Sequence, residues 1–547
     1  MKKTIKELKY LKNNGFTLIE LLGVLVIMGI IILAVMPNIN NILKSNDKKE
    51  YSTYYDMIEF GATKYADDAR SDLGSTHDVG CTHITLDELV EKEYISAFSK
   101  RDVTCSTGST GIVIRNNNGK ITVKYKLNCK KGEKIVFSKG TDDTSVCLAY
   151  QGDNSVKFLE ELNGLGHTDV NNISYITSNN NYVKFGGQLF RVVSINKTLN
   201  TIKIVSADSV ATIRYNGDGR NNYTNSDIEM WLNNEYLSTL QKDYKTYLST
   251  TSWKPNSSTT RKSMIGIINK EEFSYIKTWY GKDGSWLLDE GSSSNGYIAN
   301  NDNPTSTTAV NSFHSVRPAI TLNSDTLLYG GVGSRTNPYI VTNTPTGKVN
   351  DYLNTRLSGE YVTFSGNKYR IISTNSEGTK LIGTTSIGKK KFSDDTGEGS
   401  LSYIFDSSNL GLYLNGNWIN SLTSDKAFLD EGDFCQDVIN NTVISRISSI
   451  CIDDTLIKSM KVGLPKLGEV FTSPYTGFRY WTINPNQIIE EDGLYTNSTI
   501  NIVNSNGTVE GVNIKDENTD TLVVIYLNSE VKIKNGLGTE NSPYTIK

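Results

Sequence analysis

One carboxylate sits in surroundings that disfavour it. Glu20 is the single charge in the run Phe16 to Met36, FTLIELLGVLVIMGIIILAVM, 21 residues long. A carboxylate there costs at least a few kcal/mol to place in hydrocarbon, so a functional partner is the default expectation. Just ahead lie Gly15 and Phe16, and the first fifteen residues, MKKTIKELKYLKNNG, hold five Lys and one Glu. A buried charge is tolerable when paired, and losing one partner typically costs about 3–5 kcal/mol, so Glu20 calls for a cation.

The remaining reactive residue types suggest structure rather than catalysis. Six Cys is an even number, and no two stand as Cys-x-x-Cys, which disfavours zinc or redox chemistry. Pairing by sequence neighbourhood gives Cys81–Cys105, Cys129–Cys147 and Cys435–Cys451 as disulfide candidates. His77, His83, His167 and His314 offer no three- or four-ligand metal set. Asn216-Gly217-Asp218-Gly219 and the stretch Asp394 to Glu398 cluster oxygens without matching the twelve-residue calcium loop, so they are expected to be turns. No GxSxG, HExxH, P-loop or dinucleotide fingerprint occurs. The expectation is no enzyme, no cofactor and no metal.

The elements that must carry these residues begin with the apolar run. As a helix, 21 residues would measure roughly 32 Å, enough to cross a bilayer core. The basic residues precede it, which keeps the N-terminus cytoplasmic and exports the rest. A cleaved secretory signal would need a shorter apolar core and a small-residue cleavage site, whereas Pro37-Asn38 follows here. Beyond it, Tyr54, Tyr55, Ile58 and Ala62 recur at helical spacing, so one helix is expected over 16–70, its second half lying under a head at 71–150. In that head, Thr85 to Glu88 forms a capping box, and alternation around Asn116 to Gly119 predicts a hairpin.

The chain has 547 residues, 37% hydrophobic and 21% charged, which excludes both a polytopic membrane protein and a wholly disordered one and predicts several domains. Net charge is −3, and removing the first fifteen residues takes it to −7, against a polycation wrapped on nucleic acid. From about 175 the chain repeats itself. YVKFGGQLFRVVS from Tyr182 matches YVTFSGNKYRIIS from Tyr361. Trp231-Leu232-Asn233 matches Tyr413-Leu414-Asn415, and Trp286 matches Trp481. Later anchors follow in the same order, ending in Pro338-Tyr339 and Pro543-Tyr544. Two repeat domains, 151–345 and 346–547, are expected, each closing in a β hairpin at its Pro-Tyr pair.

The stretch Gly15-Phe16-Thr17-Leu18-Ile19-Glu20, behind a polar leader and ahead of an apolar helix, resembles the type IV prepilin processing site. The resemblance implies cleavage between Gly15 and Phe16 by a prepilin peptidase, where a side chain at Gly15 would crowd the scissile bond, methylation of Phe16, and assembly with other pilin subunits through a helix often kinked at a proline such as Pro37; the α-amine freed on Phe16 is then expected to meet Glu20 of a neighbouring subunit and set the axial register. It implies a leader at 1–15, a filament helix at 16–70 and a chain held in the membrane before assembly, then extracellular. WLNNEYL, SWLLD and SVRPAITL resemble a Gram-positive surface domain related to the C-type-lectin fold. The fold class expected is thus α+β, a long pilin helix with a small α+β head and two tandem β-rich α+β domains. The function expected is a minor pilin or pilin-like subunit, sparse or at the tip, presenting adhesive domains. Trp231, Trp286, Tyr413 and Trp481 are the candidate ligand residues, for host or surface glycans. The alternative is a competence or secretion pseudopilin, with DNA the less favoured partner.

Overall fold

The computed structural model describes residues 18–68, 79–100, 102–107, 111–117, 120–141, 158–281, 283–300, 306–329, 331–335, 337–342, 347–394, 403–422, 424–440, 451, 454–473 and 477–547, with backbone alone at 19–21, 28–47, 67–68, 79–83, 116–117 and 120. Helix α1, Leu18–Asp68, has 51 residues and runs through Pro37, for a length of about 77 Å. Its rear half buries Tyr51, Tyr54, Ile58, Ala62, Tyr65 and Ala66, a stripe at three- and four-residue steps. Against that stripe pack Leu86, Leu89, Ile95, Ile112, Tyr125 and Leu127 of the head.

The head is built from local signals. Helix α2, Leu86–Glu91, opens on the Thr85/Glu88 capping box, with reciprocal bonds of 3.1 and 2.8 Å. Strands β1 (Val79–Ile84), β3 (Ile112–Asn117) and β4 (Lys120–Lys124) form one antiparallel sheet; Asn117 faces Lys120 across the expected hairpin. Strands β2 (Thr104–Thr107), β5 (Lys126–Lys131) and β6 (Lys134–Gly140) form a second. The expected Cys81–Cys105 and Cys129–Cys147 pairings are corrected here. Register sets Cys105 directly opposite Cys129, and those two are joined. The side chain of Cys81 and all of Cys147 lie outside the described residues. In the second repeat Cys435 is bonded to Cys451.

The two repeats share a plan of five strands, and the sheet of copy one also carries His167–Val170 and Ile173–Ile176. In copy one, β7 (Tyr182–Phe185), β8 (Gln188–Asn196), β9 (Thr201–Ser206), β10 (Ile265–Gly266) and β11 (Ala319–Leu322) run in the spatial order β7-β8-β9-β11-β10. In copy two, β12 (Tyr361–Phe364), β13 (Asn367–Thr374), β14 (Gly378–Gly383), β15 (Val462–Gly463) and β16 (Val524–Asn528) run β12-β13-β14-β16-β15. Both opening hairpins turn on two residues of positive φ, Gly186-Gly187 and Ser365-Gly366, as a tight hairpin requires. Both second strands carry a register shift at the same place, between Val192 and Ser194 and between Ile371 and Ser373. Each copy also holds a three-stranded antiparallel sheet, from Ser285–Glu290 in the first and Tyr480–Gln487 in the second.

The Pro-Tyr segments do more than close a hairpin. In copy one Tyr329 N donates to the Ile340 carbonyl at 2.7 Å, and Tyr339–Ile340 also lies parallel beside β7. In copy two Tyr544 makes the equivalent parallel bridge to Val362, and Thr545–Ile546 also pairs with Ile533–Asn535. The chain is thus a mixed α and β protein made largely of antiparallel sheets, and a continuous hydrophobic core runs through both copies.

Candidate functional site

The front of α1 is uncovered. Leu18, Leu22, Leu25 and Ile27 are 80%, 57%, 61% and 59% exposed, and Val24 and Val26 are exposed beside them. A run of large apolar side chains that its own chain leaves bare marks an interaction surface. Glu20 and Pro37 lie within α1, but their side chains fall outside the described residues, as do Gly15 and Phe16 altogether. Among the described residues no helix is long and apolar enough to cross a membrane. Most of the apolar run Phe16 to Met36 has no described side chains.

The rear of the same helix is fixed. Tyr55 stacks on Tyr125 at 4.5 Å, and Lys139 Nζ lies 4.1 Å from the Tyr55 ring centre. Lys139 also pairs with Asp56 at 3.2 Å and Lys100 with Glu50 at 2.9 Å. These ion pairs are exposed and contribute about 1 kcal/mol at most. Apolar burial along the stripe does the anchoring, and burial also raises the Tyr54 hydroxyl above its ordinary range, against the opposing backbone contact at Phe98. A helix held at its rear and bare at its front can hand its front half to another body while the head stays folded.

Three of the four candidate ligand residues are core, which corrects their assignment to a sugar-facing surface. Trp286 and Trp481 are fully buried, and their Nε1 atoms donate to the carbonyls of Ile213 (2.9 Å) and Lys390 (2.8 Å). Trp231 is 2% exposed and donates to the Gly468 carbonyl of the other copy at 2.6 Å. An indole has a large apolar body and one donor, so a core with a spare carbonyl satisfies it completely. Tyr413 alone is half-buried, with Lys390 Nζ 4.1 Å from its ring centre.

The asparagines beside those aromatics matter more than sequence suggested. Helix α3, Asp227–Trp231, is capped by Ser226 and runs into a π turn; helix α4, Asn409–Tyr413, is capped by Ser408 and does the same. In copy one Asn233 Nδ2 donates to the Ile265 carbonyl at 3.0 Å and its Oδ1 accepts from Ile265 N at 3.1 Å. Asn415 does the same with Val462, at 2.8 and 3.1 Å. Each asparagine thus pins its turn to the central sheet like one more backbone unit.

The described carboxylates in and beside the oxygen-rich turns have partners within the chain. Asp218 is bound by Arg220, at 2.8 Å from Nε, and Asp227 Oδ2 accepts from Gly217 N at 2.9 Å. Asp394 pairs with Lys391 at 2.9 Å, and residues 395–398 lie outside the described set. Cys435, Asp437 and Cys451 cluster closely, but the two sulfurs are bonded to each other and offer no thiolate to a metal. His314 meets the edge of Trp286 at 4.9 Å, and burial pushes its imidazole down to about 4.

Comparison with known families finds the prokaryotic N-terminal methylation motif at residues 11–36. No curated protein and no solved structure matches this chain. The motif spans the Gly15-Phe16 bond, Glu20 and the exposed apolar residues Leu18, Leu22 and Val24 to Ile27 together. It supports a type IV prepilin-like chain, processed by a prepilin peptidase and assembled with other pilins.

Proposed function

We propose that the protein is a minor pilin-like subunit of a type IV filament system that carries two presentation domains outward from the filament. One observation carries the reading: the methylation motif spans Leu18, Leu22 and Val24 to Ile27, apolar side chains that the rest of the chain leaves exposed. In this reading Phe16 becomes the new N-terminus, and its amine meets Glu20 of a neighbouring subunit. Before assembly the same segment sits in the membrane. Nearly four hundred residues follow the head, a load that crowds a subunit repeated along a shaft and favours a tip or sparse position. The repeats are non-catalytic and adhesive. Their lectin-like relationship rests on WLNNEYL, SWLLD and SVRPAITL. A pseudopilin moving DNA is disfavoured by the charge of −7 left after removal of the leader.

The test is N-terminal peptide mass spectrometry on filaments sheared from the source cells, with immunogold labelling of the same sample. The expected result is a methylated Phe16 terminus and labels at tips or at rare intervals. Residues 1–15 still attached in assembled material, or a terminus elsewhere, would overturn the filament reading. Dense labelling along shafts would overturn the minor position.

A further inference from the structure

A cavity of about 300 Å³ opens between the two copies. Copy one walls it with Lys184 and Gln188 of its opening hairpin and with the Asp208–Arg335 pair; copy two supplies Tyr361, Arg370 and Glu540. The walls meet closely because two glycines face across the seam. A Cβ on Gly187 would lie 2.7 Å from Leu357 Cβ, and one on Gly359 would lie 2.8 Å from Gln188 Cγ.

The charges in this cavity do not cancel locally. Asp208 is taken by Arg335, 2.8 Å from Nη2, and Glu540 Oε1 lies 3.7 Å from Lys368 Nζ. Lys184 and Arg370 have no acidic partner within ion-pair distance among the described residues. Arg370 donates once, from Nε to the Gly359 carbonyl at 3.3 Å, and its guanidinium lies 5.4 Å from the Tyr361 ring centre and 3.7 Å from that of Phe471. Gln188 is 1% exposed; its Oε1 accepts from the Tyr236 hydroxyl at 2.9 Å, and its Nε2 has no acceptor among the described residues.

The duplication shows how this arginine came to be free. Arg191 holds the matching place in copy one and is consumed by structure. It donates to Asn181 Oδ1 (2.6 Å), the Trp279 carbonyl (2.9 Å) and the Asn179 carbonyl (3.0 Å). Trp279 arrives on the helix Lys270–Tyr280 of copy one. Between Gly463 and Tyr480 of copy two no helix occurs among the described residues. Arg370 thus keeps the position and loses the partners.

We propose that this cavity binds a single carboxylated sugar, a hexuronic acid or a residue of that kind within a glycan. Two uncommitted cations call for an anion, and an arginine fork suits a planar carboxylate. Glu540 and Gln188 offer an acceptor and a donor for ring hydroxyls. The volume lies at the small end of ligand pockets, which fits one ring rather than a chain. Three cations, Lys184, Arg335 and Arg370, line the cavity against two carboxylates, Asp208 and Glu540, and a neutral sugar would leave that excess unanswered. The inference rests on the reading of the repeats as adhesive domains, and it names their site and ligand class.

The experiment is saturation-transfer NMR titration of the full processed chain in detergent with glucuronate and with glucose, inorganic phosphate being read by its competition against the glucuronate signal. Saturable glucuronate binding is expected, at least about tenfold tighter than glucose, since a charge-assisted pair is being made or lost. Arg370→Lys should weaken glucuronate about tenfold, because a point charge replaces the fork. Lys184→Met, on an open strand face, should weaken it several-fold with an unchanged melting temperature, and it carries the test if Arg370→Lys fails to fold. Absent glucuronate binding, equal binding of glucose, phosphate binding as tight as glucuronate, or no effect of Lys184→Met would each overturn the proposal. The N-terminus is read by mass spectrometry on the same preparation. Failed binding with Phe16 at the terminus sinks this inference alone, and intact binding with a wrong terminus sinks the filament reading alone.

Discussion

His314 shows how far one side chain can be bent from its ordinary behaviour by its neighbours. It sits against the edge of Trp286, with Gly284 backbone beside it and Thr308 Oγ1 3.3 Å from Nε2. Burial lowers its folded pKa from 6.5 to about 4. Above pH 6.5 the imidazole is neutral in both states and contributes nothing. As pH falls from 6.5 towards 4, the unfolded chain takes up a proton that the fold refuses, so stability drops, by roughly 3 kcal/mol over the whole window. Urea unfolding at pH 7 and pH 5 should show the wild type losing about 2 kcal/mol more than His314→Gln over that interval. Carboxylates common to both proteins cancel in the comparison. Equal losses would show that this ring is already hydrated in the fold.

At the scale of elements, what could be read from sequence was whatever a few neighbouring residues decide. The Thr85/Glu88 box, the hairpin at Asn117/Lys120 and the paired opening hairpins of the repeats all follow from local turn and cap chemistry. The Cys105–Cys129 bond was not legible, because it depends on the register of two strands separated by a further hairpin. Nor were the tryptophans, since an indole looks the same in sequence whether it faces sugar or a spare carbonyl. The cavity between the copies was hidden for a related reason: two of its cations, Lys184 and Arg370, lie on separate copies, and Arg370 makes one bond where its counterpart Arg191 makes three. Gly61 on α1 is a further case where local propensity misleads. Alanine is the better helix former by about 1 kcal/mol, so sequence alone favours Gly61→Ala. In the structure a Cβ there would collide with Ile95 Cγ2 and lie 3.2 Å from the Tyr94 carbonyl oxygen. Overpacking typically costs about 1–3 kcal/mol, so the substitution should lower head stability by about 1 kcal/mol net. Phe60, next along and 73% exposed, should tolerate Phe60→Ser within about 0.5 kcal/mol. A Gly61→Ala protein that melts at or above the wild type would show that the helix does not sit this close to the head.

Across the whole molecule, the two repeats are joined by more than a linker. Their buried residues form a continuous core, and polar bonds cross the seam: Trp231 Nε1 to the Gly468 carbonyl, Thr212 Oγ1 to the Gly507 carbonyl at 2.9 Å, and Phe471 N to the Val210 carbonyl. Independent domains would share few such contacts and open separately; these should unfold as one cooperative unit. Trp231→Phe tests the coupling because it keeps an aromatic body in copy one and orphans a carbonyl in copy two. A buried polar group left without its partner costs about 1–3 kcal/mol. Calorimetry of the full chain should give one transition for both repeats, lowered by the substitution yet still single. The Cys435–Cys451 bond lies in copy two and reports on that copy alone. If the copies open together, Trp231→Phe should speed its reduction by dithiothreitol about tenfold, matching about 1.4 kcal/mol of lost stability. Separate transitions in the wild type, or an unchanged reduction rate in a variant that melts earlier, would mean that the seam is a contact between autonomous domains, and the cavity within it would then open and close with their motion.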